Sequence, residues 1–423
     1  MKPEKFILFI SSALILLILT SFKLDKQFGK DFIEFWTTVK KNYAYFDNKH
    51  TDWEKVRDVY LPIAEKVHTK AEFITVLENA IEELYDNHFS LNTNLESSTR
   101  LVPSGSDLWA EWIGDKAVVT EVRKDFSADR AGVRAGMEIV SINGRPVDEA
   151  VNARVGKCIK RADTEVRNFA LRQLLAGTYL VPRIIATKSQ QTTKVFNLDK
   201  AKGDLTDTYD YPTLLESKLL AEDIGYIRFN NSLGETAVVH TFDSALSKLQ
   251  RSKAIIIDLR ETPGGGNSTV ARGILGRFIS KDTPYQKHIL PMEAKVYGIK
   301  RSWLEIVSPR GPFTYSKPVV VLVNHWTGSM GEGIAIGFEA TGRATIVGTR
   351  MAALNGAING FELSFSKIPY SFPTEQLYQV SGEPRERYTP KHLVNLVSYN
   401  EPRADDTILT EGLRVIKKKL GRS

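Results

Sequence analysis

Cysteine is nearly absent from this 423-residue sequence, which contains only Cys158. A single cysteine excludes an intrachain disulfide and a zinc site built from cysteines. Three further patterns are missing: the H-E-x-x-H of zinc peptidases, the P-loop of nucleotide-binding proteins and the G-x-G-x-x-G of dinucleotide-binding folds. The sequence therefore predicts chemistry that needs no metal, nucleotide or other cofactor.

Long blocks of one charge sign are absent as well. The net charge is +7, but lysine and arginine are interleaved with aspartate and glutamate along the chain. Nucleic acid is therefore not an expected partner. The apolar fraction of 42% and the charged fraction of 25% are those of an ordinary globular protein, and the length suits two or three domains.

A long apolar run stands at the start of the chain. Lys2 and Lys5 precede an apolar stretch from Phe6 to Phe22, which is the form of a secretory signal. No A-x-A-like cleavage site follows, and the stretch is at the short limit for crossing a bilayer. Residues 1–22 are therefore a signal peptide or a membrane anchor through residues 6–22, and the sequence leaves both open. Either one predicts that the rest lies outside the cytoplasm, in the periplasm or cell envelope.

Helical spacing of apolar residues dominates the next part of the chain. Three successive segments between Asp31 and Leu91 show it, which predicts an N-terminal helical domain over residues 28–100. The last helix stops before Asp86-Asn87-His88. By local reasoning, a histidine at such a junction is a cap, a core residue or a base.

Residues 104–198 show short strands and turn signals instead. The order A-x-x-A-G-V-x-x-G-x-x-I-x-x-I-N-G-x-x-V runs from Ala128 to Val147, and its Asn143-Gly144 pair predicts a hairpin with a type I′ turn. This order resembles a PDZ domain. The resemblance implies that the segment captures a chain end, such as a substrate C-terminus, as an added strand.

The last domain, residues 209–423, alternates strands and helices, which predicts an α/β core with crossover units. The apolar run Val319 to Val323 predicts a buried strand, and a polar turn then leads to Ser329 at the start of a helix. A serine in this position is a candidate nucleophile. It is equally the first residue of a capping box with Glu332, and the local pattern leaves both roles open.

A second turn of this kind follows the predicted strand Lys253 to Leu259. It contains three consecutive glycines, Gly264, Gly265 and Gly266, between the strand and a helix. Glycines allow main-chain amides to turn outward, as an oxyanion hole or a phosphate cradle requires. A bare connecting turn is the alternative.

Together these turns resemble the C-terminal-processing (tail-specific) serine protease family. The matching motifs are D-L-R-x-x-x-G-G at Asp258 to Gly265 and V-L-V-N-x-x-T-x-S-x-x-E at Val321 to Glu332, with the PDZ-like segment upstream. The resemblance implies a multi-domain α+β chain with a crotonase/ClpP-like α/β protease core. It also implies Ser329 as nucleophile and an oxyanion hole made by the amides of Gly264 or Gly265 and of Met330.

The sequence departs from this family at the general base. The processing peptidases carry a lysine after the V-G motif, and here Leu354 stands at that position. A leucine cannot accept a proton, so we do not expect a Ser–Lys dyad. The chain is instead similar to the tricorn-like branch, which implies His88 as base and a late glutamate as the residue that orients it.

Two late glutamates are candidates for the partner of His88. Glu386 is our match for the orienting glutamate, with Glu383 as the alternative. His325 lies four residues before Ser329 and is an alternative base, as are His240 and His392. The predicted function is a serine endopeptidase that cleaves extracytoplasmic proteins or peptides through an acyl-enzyme. The alternative is a non-catalytic protein that binds a hydrophobic ligand or a peptide on the same fold.

Overall fold

The computed structural model of this protein describes residues 27–189, 192–199, 211–397 and 406–421. The predicted signal or anchor at residues 1–22 lies outside these ranges. Within them, no helix combines the length and the apolar character needed to cross a membrane.

The N-terminal part is helical, as predicted. Its three helices are α1 (27–42), α2 (Trp53–Ala64) and α3 (Lys70–Glu82). Side-chain caps explain where the last two begin: Asp52 accepts from the Lys55 amide, and Thr69 and Glu72 form a capping box. After α3 the chain runs through Asp86 and His88 into an extended segment.

The middle of the chain forms a β-rich unit with its own apolar core. Its elements in order are β1 (Leu108–Ile113), β2 (Lys116–Val122), α4 (Ser127–Ala131), β3 (Glu138–Ile142), β4 (Arg145–Pro146), α5 (Val147–Arg154), α6 (Thr164–Ala176), β5 (Ile184–Ser189) and β6 (Thr192–Asn197). The predicted turn at Asn143-Gly144 joins β3 to β4, and both residues have positive φ. Strands β5 and β6 complete the same sheet, in the order β1-β2-β3-β5-β6 with β4 beside β3.

The C-terminal half is an α/β core. Its elements are β7 (Leu215–Leu220), β8 (Ile224–Phe229), α7 (Val238–Lys248), β9 (Ala254–Asp258), α8 (Ser268–Leu275), β10 (Thr283–Ile289), α9 (Pro291–Tyr297), β11 (Ser302–Val307), β12 (Val319–Val323), α10 (Met330–Ala340), β13 (Ala344–Gly348), β14 (Ala357–Glu362), β15 (Pro369–Tyr378), β16 (His392–Leu393) and α11 (Thr407–Leu420).

The main sheet of this core has the order β16-β13-β12-β9-β8-β7. Strands β8, β9, β12, β13 and β16 are parallel, and β7 pairs with β8 in the antiparallel sense. All residues of β9 and β12 are buried, which accounts for their unbroken apolar runs. Because β9 and β12 are neighbours, the two glycine turns that follow them meet at one edge of the sheet, where Thr262 and Thr327 form a bridge.

A second, antiparallel sheet of the core has the order β11-β10-β15-β14. Its strand β15 shares an apolar cluster with the N-terminal helices, where the rings of Phe35 and Tyr370 lie 5.4 Å apart. Ser90 forms a bridge with Ser371 of β15. This packing places the segment that carries His88 against the α/β core.

Candidate active site

Ser329 occupies a strained position between β12 and α10. Its φ is 50° and its ψ is −110°, a combination that L-residues rarely adopt. Such strain persists only where the surroundings hold it, and it clusters at functional sites. The side chain is half-buried, while the turn before it, from Asn324 to Gly328, is buried. The geometry presents a hydroxyl beside the first turn of α10.

The buried Glu332 accepts hydrogen bonds from the main chain at Ser329 and Leu354. Its Oε2 accepts hydrogen bonds from the amides of Ser329, at 2.9 Å, and Leu354, at 3.3 Å. The predicted reach of Glu332 back to the Ser329 amide is therefore confirmed. The carboxylate is fully buried, and burial raises its pKa to about 7. Among the described residues, Oε1 of Glu332 has no partner.

His88 lies in the tautomer that a general base requires. Its amide donates to Asp86 Oδ1 at 2.9 Å, and its ring Nδ1 lies 2.6 Å from the carbonyl oxygen of Asn355. A carbonyl oxygen can only accept, so Nδ1 carries the hydrogen and Nε2 carries the lone pair. Burial of the ring lowers the pKa of His88, which favours the neutral form.

The segment 354–356 connects His88 with Ser329. Leu354 shares the Oε2 atom of Glu332 with the serine amide, and the adjacent Asn355 binds His88. Among the hydrogen bonds of the described residues, none joins the His88 ring to Ser329 directly. Catalytic hydrogen bonds are often long without substrate and tighten in the Michaelis complex.

Neither predicted glutamate bonds to the His88 ring. Glu386 is half-buried, and burial raises the pKa of its carboxyl group, as does the charge of Asp86. Its Oε2 has no partner among the described residues. In the structure, Nδ1 of His88 faces the carbonyl of Asn355 and not a carboxylate. Glu383 is exposed.

The alternative histidines lie in other contacts or at the surface. His325 is buried, its Nδ1 lies 2.6 Å from Glu121 of β2, and its ring stacks on Trp109 at 4.7 Å. His240 is exposed on α7, and His392 lies 3.8 Å from Glu411. Only His88 among these four binds the segment that runs beside Ser329.

Met330 and Gly265 face each other at the predicted oxyanion hole. Gly265 has a φ of 66°, and a Cβ atom there would lie 2.4 Å from Ser329 Cβ and 3.2 Å from the Met330 amide nitrogen. Because Met330 is the first residue of α10, its amide has no acceptor within the helix. It is therefore the donor best placed to receive an oxyanion.

The two predicted glycine donors differ from expectation. The Gly264 amide donates to Asn231 Oδ1 at 2.8 Å, and the Gly265 amide donates to the Thr262 carbonyl at 3.1 Å. Gly264 is thus corrected from donor to a residue held by Asn231. Gly265 has no side chain, and this leaves the space that Ser329 occupies.

Leu354 stands where the processing peptidases carry their lysine, so the side chain at this position is aliphatic. Leu354 is buried, and a Cβ atom on Gly328 would lie 3.3 Å from its Cδ1. Arg385 is the residue that sequence reasoning missed: it is 1% exposed and donates to the carbonyls of Leu354 and Gly356. An arginine between glutamates in a polar loop has the pattern of a surface residue, so the sequence carried no signal for its burial.

No cluster of three or more histidine, cysteine, aspartate or glutamate side chains in the described ranges has the arrangement of a metal site. The groups that the site brings together are instead the carboxyl groups of Asp86, Glu332 and Glu386, an arginine, an imidazole and main-chain amides. These groups can take up and return a proton and stabilise an anion.

Two family models match the chain. The model described as peptidase family S41 covers residues 223–390, which contain both glycine turns, and the model described as tricorn protease C1 domain covers residues 24–82. Carboxy-terminal processing protease CtpB of Bacillus subtilis is 25% identical over 309 residues. These are 70% of this chain and 58% of that relative, so the chain spans less than two thirds of its length.

Two solved structures have the same fold. The photosystem II D1 C-terminal processing protease superposes with a TM-score of 0.54 at 17% identity, over 93% of this chain and 97% of the other. Mature CPAF superposes with a TM-score of 0.59 at 14% identity, over 94% and 96%. These matches confirm the predicted α/β fold class. Residues 24–82 are thus similar to the tricorn protease C1 domain, and residues 223–390 are similar to peptidase family S41.

Proposed function

We propose that this protein is a serine endopeptidase that hydrolyses peptide bonds of extracytoplasmic proteins or peptides through an acyl-enzyme. The observation that carries the proposal is the meeting of the strained Ser329 with the first amide of α10 at Met330. A serine hydroxyl is weakly nucleophilic by itself and needs a base. His88, with its lone pair on Nε2, supplies one from the neighbouring segment.

The reaction follows from these placements. Nε2 of His88 takes the proton of Ser329 as its Oγ attacks the substrate carbonyl, and the Met330 amide stabilises the oxyanion. The imidazolium then returns the proton to the leaving amine. In the second half, His88 activates a water molecule that hydrolyses the ester, and the serine is restored.

Two carboxyl groups support the imidazolium stage. Asp86 accepts from the His88 amide and from Asn355 Nδ2, at 2.9 Å each, and its charge favours a protonated ring. Glu386 lies close enough to Asp86 for the two charges to interact. In this proposal Glu386 acts on the charge balance around His88 and not through a hydrogen bond to its ring.

The proposed setting of the reaction rests on the apolar run at residues 6–22. The apolar run at residues 6–22 would direct the protein out of the cytoplasm, where it stays anchored or is released. A reporter that is active only outside the cytoplasm, fused after residue 40, should give signal. A silent reporter would contradict this part of the proposal.

The β-rich unit would present substrate by a PDZ-like capture of a chain end. Its edge strand β1 is covered by α6, and the amide of Trp112 donates to Asn168 Oδ1 at 2.8 Å. An incoming strand would therefore have to displace Asn168. Binding of a substrate chain end would require Asn168 to move away from the edge of β1.

A fluorophosphonate probe tests the proposed function directly, because it labels only activated serines. The full chain should be labelled, and Ser329→Ala and His88→Ala should both lose labelling. The double variant should be little worse than either single one, since residues of a catalytic unit are not additive. Absence of labelling in the unaltered chain would favour the non-catalytic binding protein. Labelling that persists in His88→Ala would keep Ser329 and discard the base.

A further inference from the structure

Arg385 is a buried cation beside the proposed catalytic residues. It lies in the short 3₁₀ turn Arg385–Arg387 and is 1% exposed. Its Nη2 donates to the carbonyl oxygens of Leu354, at 3.1 Å, and Gly356, at 3.0 Å. The guanidinium therefore bonds to the residues on both sides of Asn355.

Asn355 is the residue on which His88 depends. Its carbonyl accepts from His88 Nδ1 at 2.6 Å, and its side-chain amide donates to Asp86 Oδ2 at 2.9 Å. A rotation of the peptide between Asn355 and Gly356 would move the acceptor of the imidazole. Because Arg385 fixes the carbonyls before and after that acceptor, it limits this rotation.

The same guanidinium reaches the residue that holds Ser329. Arg385 Nη2 lies 3.8 Å from Glu332 Oε2, which accepts from the serine amide. A buried carboxylate is costly without a compensating charge, and Arg385 supplies that charge. The Arg385 side chain thus contacts both the segment that binds His88 and the glutamate that binds the amide of Ser329. No other residue described above does so.

The charge of Arg385 lowers the pKa values of both His88 and Glu332. The positive charge of Arg385 opposes protonation of His88 and so lowers the pKa of the imidazole. It also lowers the pKa of Glu332, against the raising effect of burial. Arg385 therefore favours a neutral imidazole at His88 and an ionised carboxylate at Glu332.

We propose that Arg385 is a positioning residue that holds the 354–356 segment, and through it His88 and Ser329, in reactive geometry. This inference rests on the proposed function. In the family that the chain resembles, a lysine at the position of Leu354 brings a cation to this segment. Here the cation comes from the later turn at Arg385 and acts without contacting substrate.

The test compares Arg385→Met with Arg387→Met, which changes an exposed arginine of the same turn. In the full chain, Arg385→Met should lower the rate of fluorophosphonate labelling roughly 100-fold, the cost of a small misplacement. KM for a small ester should change little. The acid limb of the pH profile should move to higher pH, because the arginine no longer lowers the pKa of His88. Arg385→Lys should restore part of the rate, and Arg387→Met should match the unaltered chain.

The outcomes separate the inference from the proposed function. An unaltered chain that is not labelled contradicts the proposed function itself. A labelled chain together with Arg385→Met at the same rate and pH profile overturns the positioning role. If Arg385→Met does not fold, Arg385→Met/Glu332→Gln removes the unpaired charge, and an unchanged rate and profile there overturns it too. If neither folds, Arg385→Lys decides. A full rate with an unmoved acid limb in that variant shows that the contacts of the guanidinium group are dispensable, which overturns the positioning role.

Discussion

His325 Nδ1 lies 2.6 Å from Oε2 of Glu121, a contact that joins the turn before Ser329 to strand β2 of the β-rich unit. The same oxygen accepts from Thr349 Oγ1 at 2.8 Å. Just beyond β2, Arg123 donates to Glu261, which lies in the other glycine turn, at 2.7 Å. The end of β2 therefore contacts both turns that build the candidate site, and the β-rich unit is part of the support of that site.

Glu121→Ala should lower the activity on small esters, not only on long substrates. The change leaves His325 buried without its acceptor, at a cost of roughly 1–3 kcal/mol in unfolding free energy. We expect kcat/KM for a nitrophenyl ester to fall about tenfold as the turn before Ser329 loosens. Thermal unfolding and ester kinetics measure the two effects.

The matched control is Glu138→Ala on β3 of the same unit. Glu138 pairs with the exposed Lys116 at 3.0 Å, and exposed pairs contribute little. Ester kinetics should be unchanged there. Equal kinetics in Glu121→Ala and Glu138→Ala would show that the contact with His325 plays no part in the reaction.

Gly265→Ala should remove most activity. A Cβ atom at this position would lie 2.4 Å from Ser329 Cβ, and its φ of 66° disfavours any side chain. Displacing the serine or the Met330 amide should lower the rate of fluorophosphonate labelling roughly 100-fold or more. Gly360→Ala is the control, because nothing lies within 4 Å of its Cβ position. Similar labelling of both variants would rule out the close approach.

Glu386→Gln and Glu383→Gln distinguish the two candidate glutamates. Glu386 is half-buried and its charge interacts with Asp86, whereas Glu383 is exposed. We expect Glu386→Gln to lower kcat roughly tenfold, a fraction of the 10²- to 10⁴-fold that a general base supplies. Glu383→Gln should have no measurable effect on kcat. The reverse order would transfer the role to Glu383.

The pH profile of kcat/KM should report a histidine with a lowered pKa. Burial shifts the pKa of His88 below its ordinary value of 6.5, so the neutral base persists to lower pH. Activity should therefore fall on the acid side through a midpoint below 6.5, and the basic side of this limb should be flat. An acid limb centred above 6.5 would exclude His88 as described.

Glu332→Gln should change how stability depends on pH. The folded protein holds the proton of Glu332 more tightly than the unfolded chain, since the pKa rises from 4.5 to about 7. This contribution is complete below pH 4.5 and is lost as the pH rises through about 7, with a magnitude on the order of 3 kcal/mol. Denaturant unfolding at pH 5 and pH 8 should differ less in Glu332→Gln. An unchanged difference would contradict this prediction.

Local sequence patterns determined the elements and singled out Ser329 as a candidate nucleophile. The apolar run of β12, the glycine turns and the serine at a helix start are short-range features, because strand burial, turn geometry and helix capping depend on residues within a few positions. For the same reason the Asn143-Gly144 turn and the three N-terminal helices are where the sequence placed them. His88 was identified through its setting in the family motif.

The tertiary structure alone decided which groups these residues contact. The acceptor of His88 is Asn355, 267 positions away, and the partner of His325 is Glu121, 204 positions away. Asn231 accepts from the amide of Gly264, and Arg385 is buried although charged residues surround it in the sequence. A donor in a packed interior bonds to whichever acceptor the packing of distant segments brings within reach. That choice depends on the whole fold and leaves no pattern in the residues on either side.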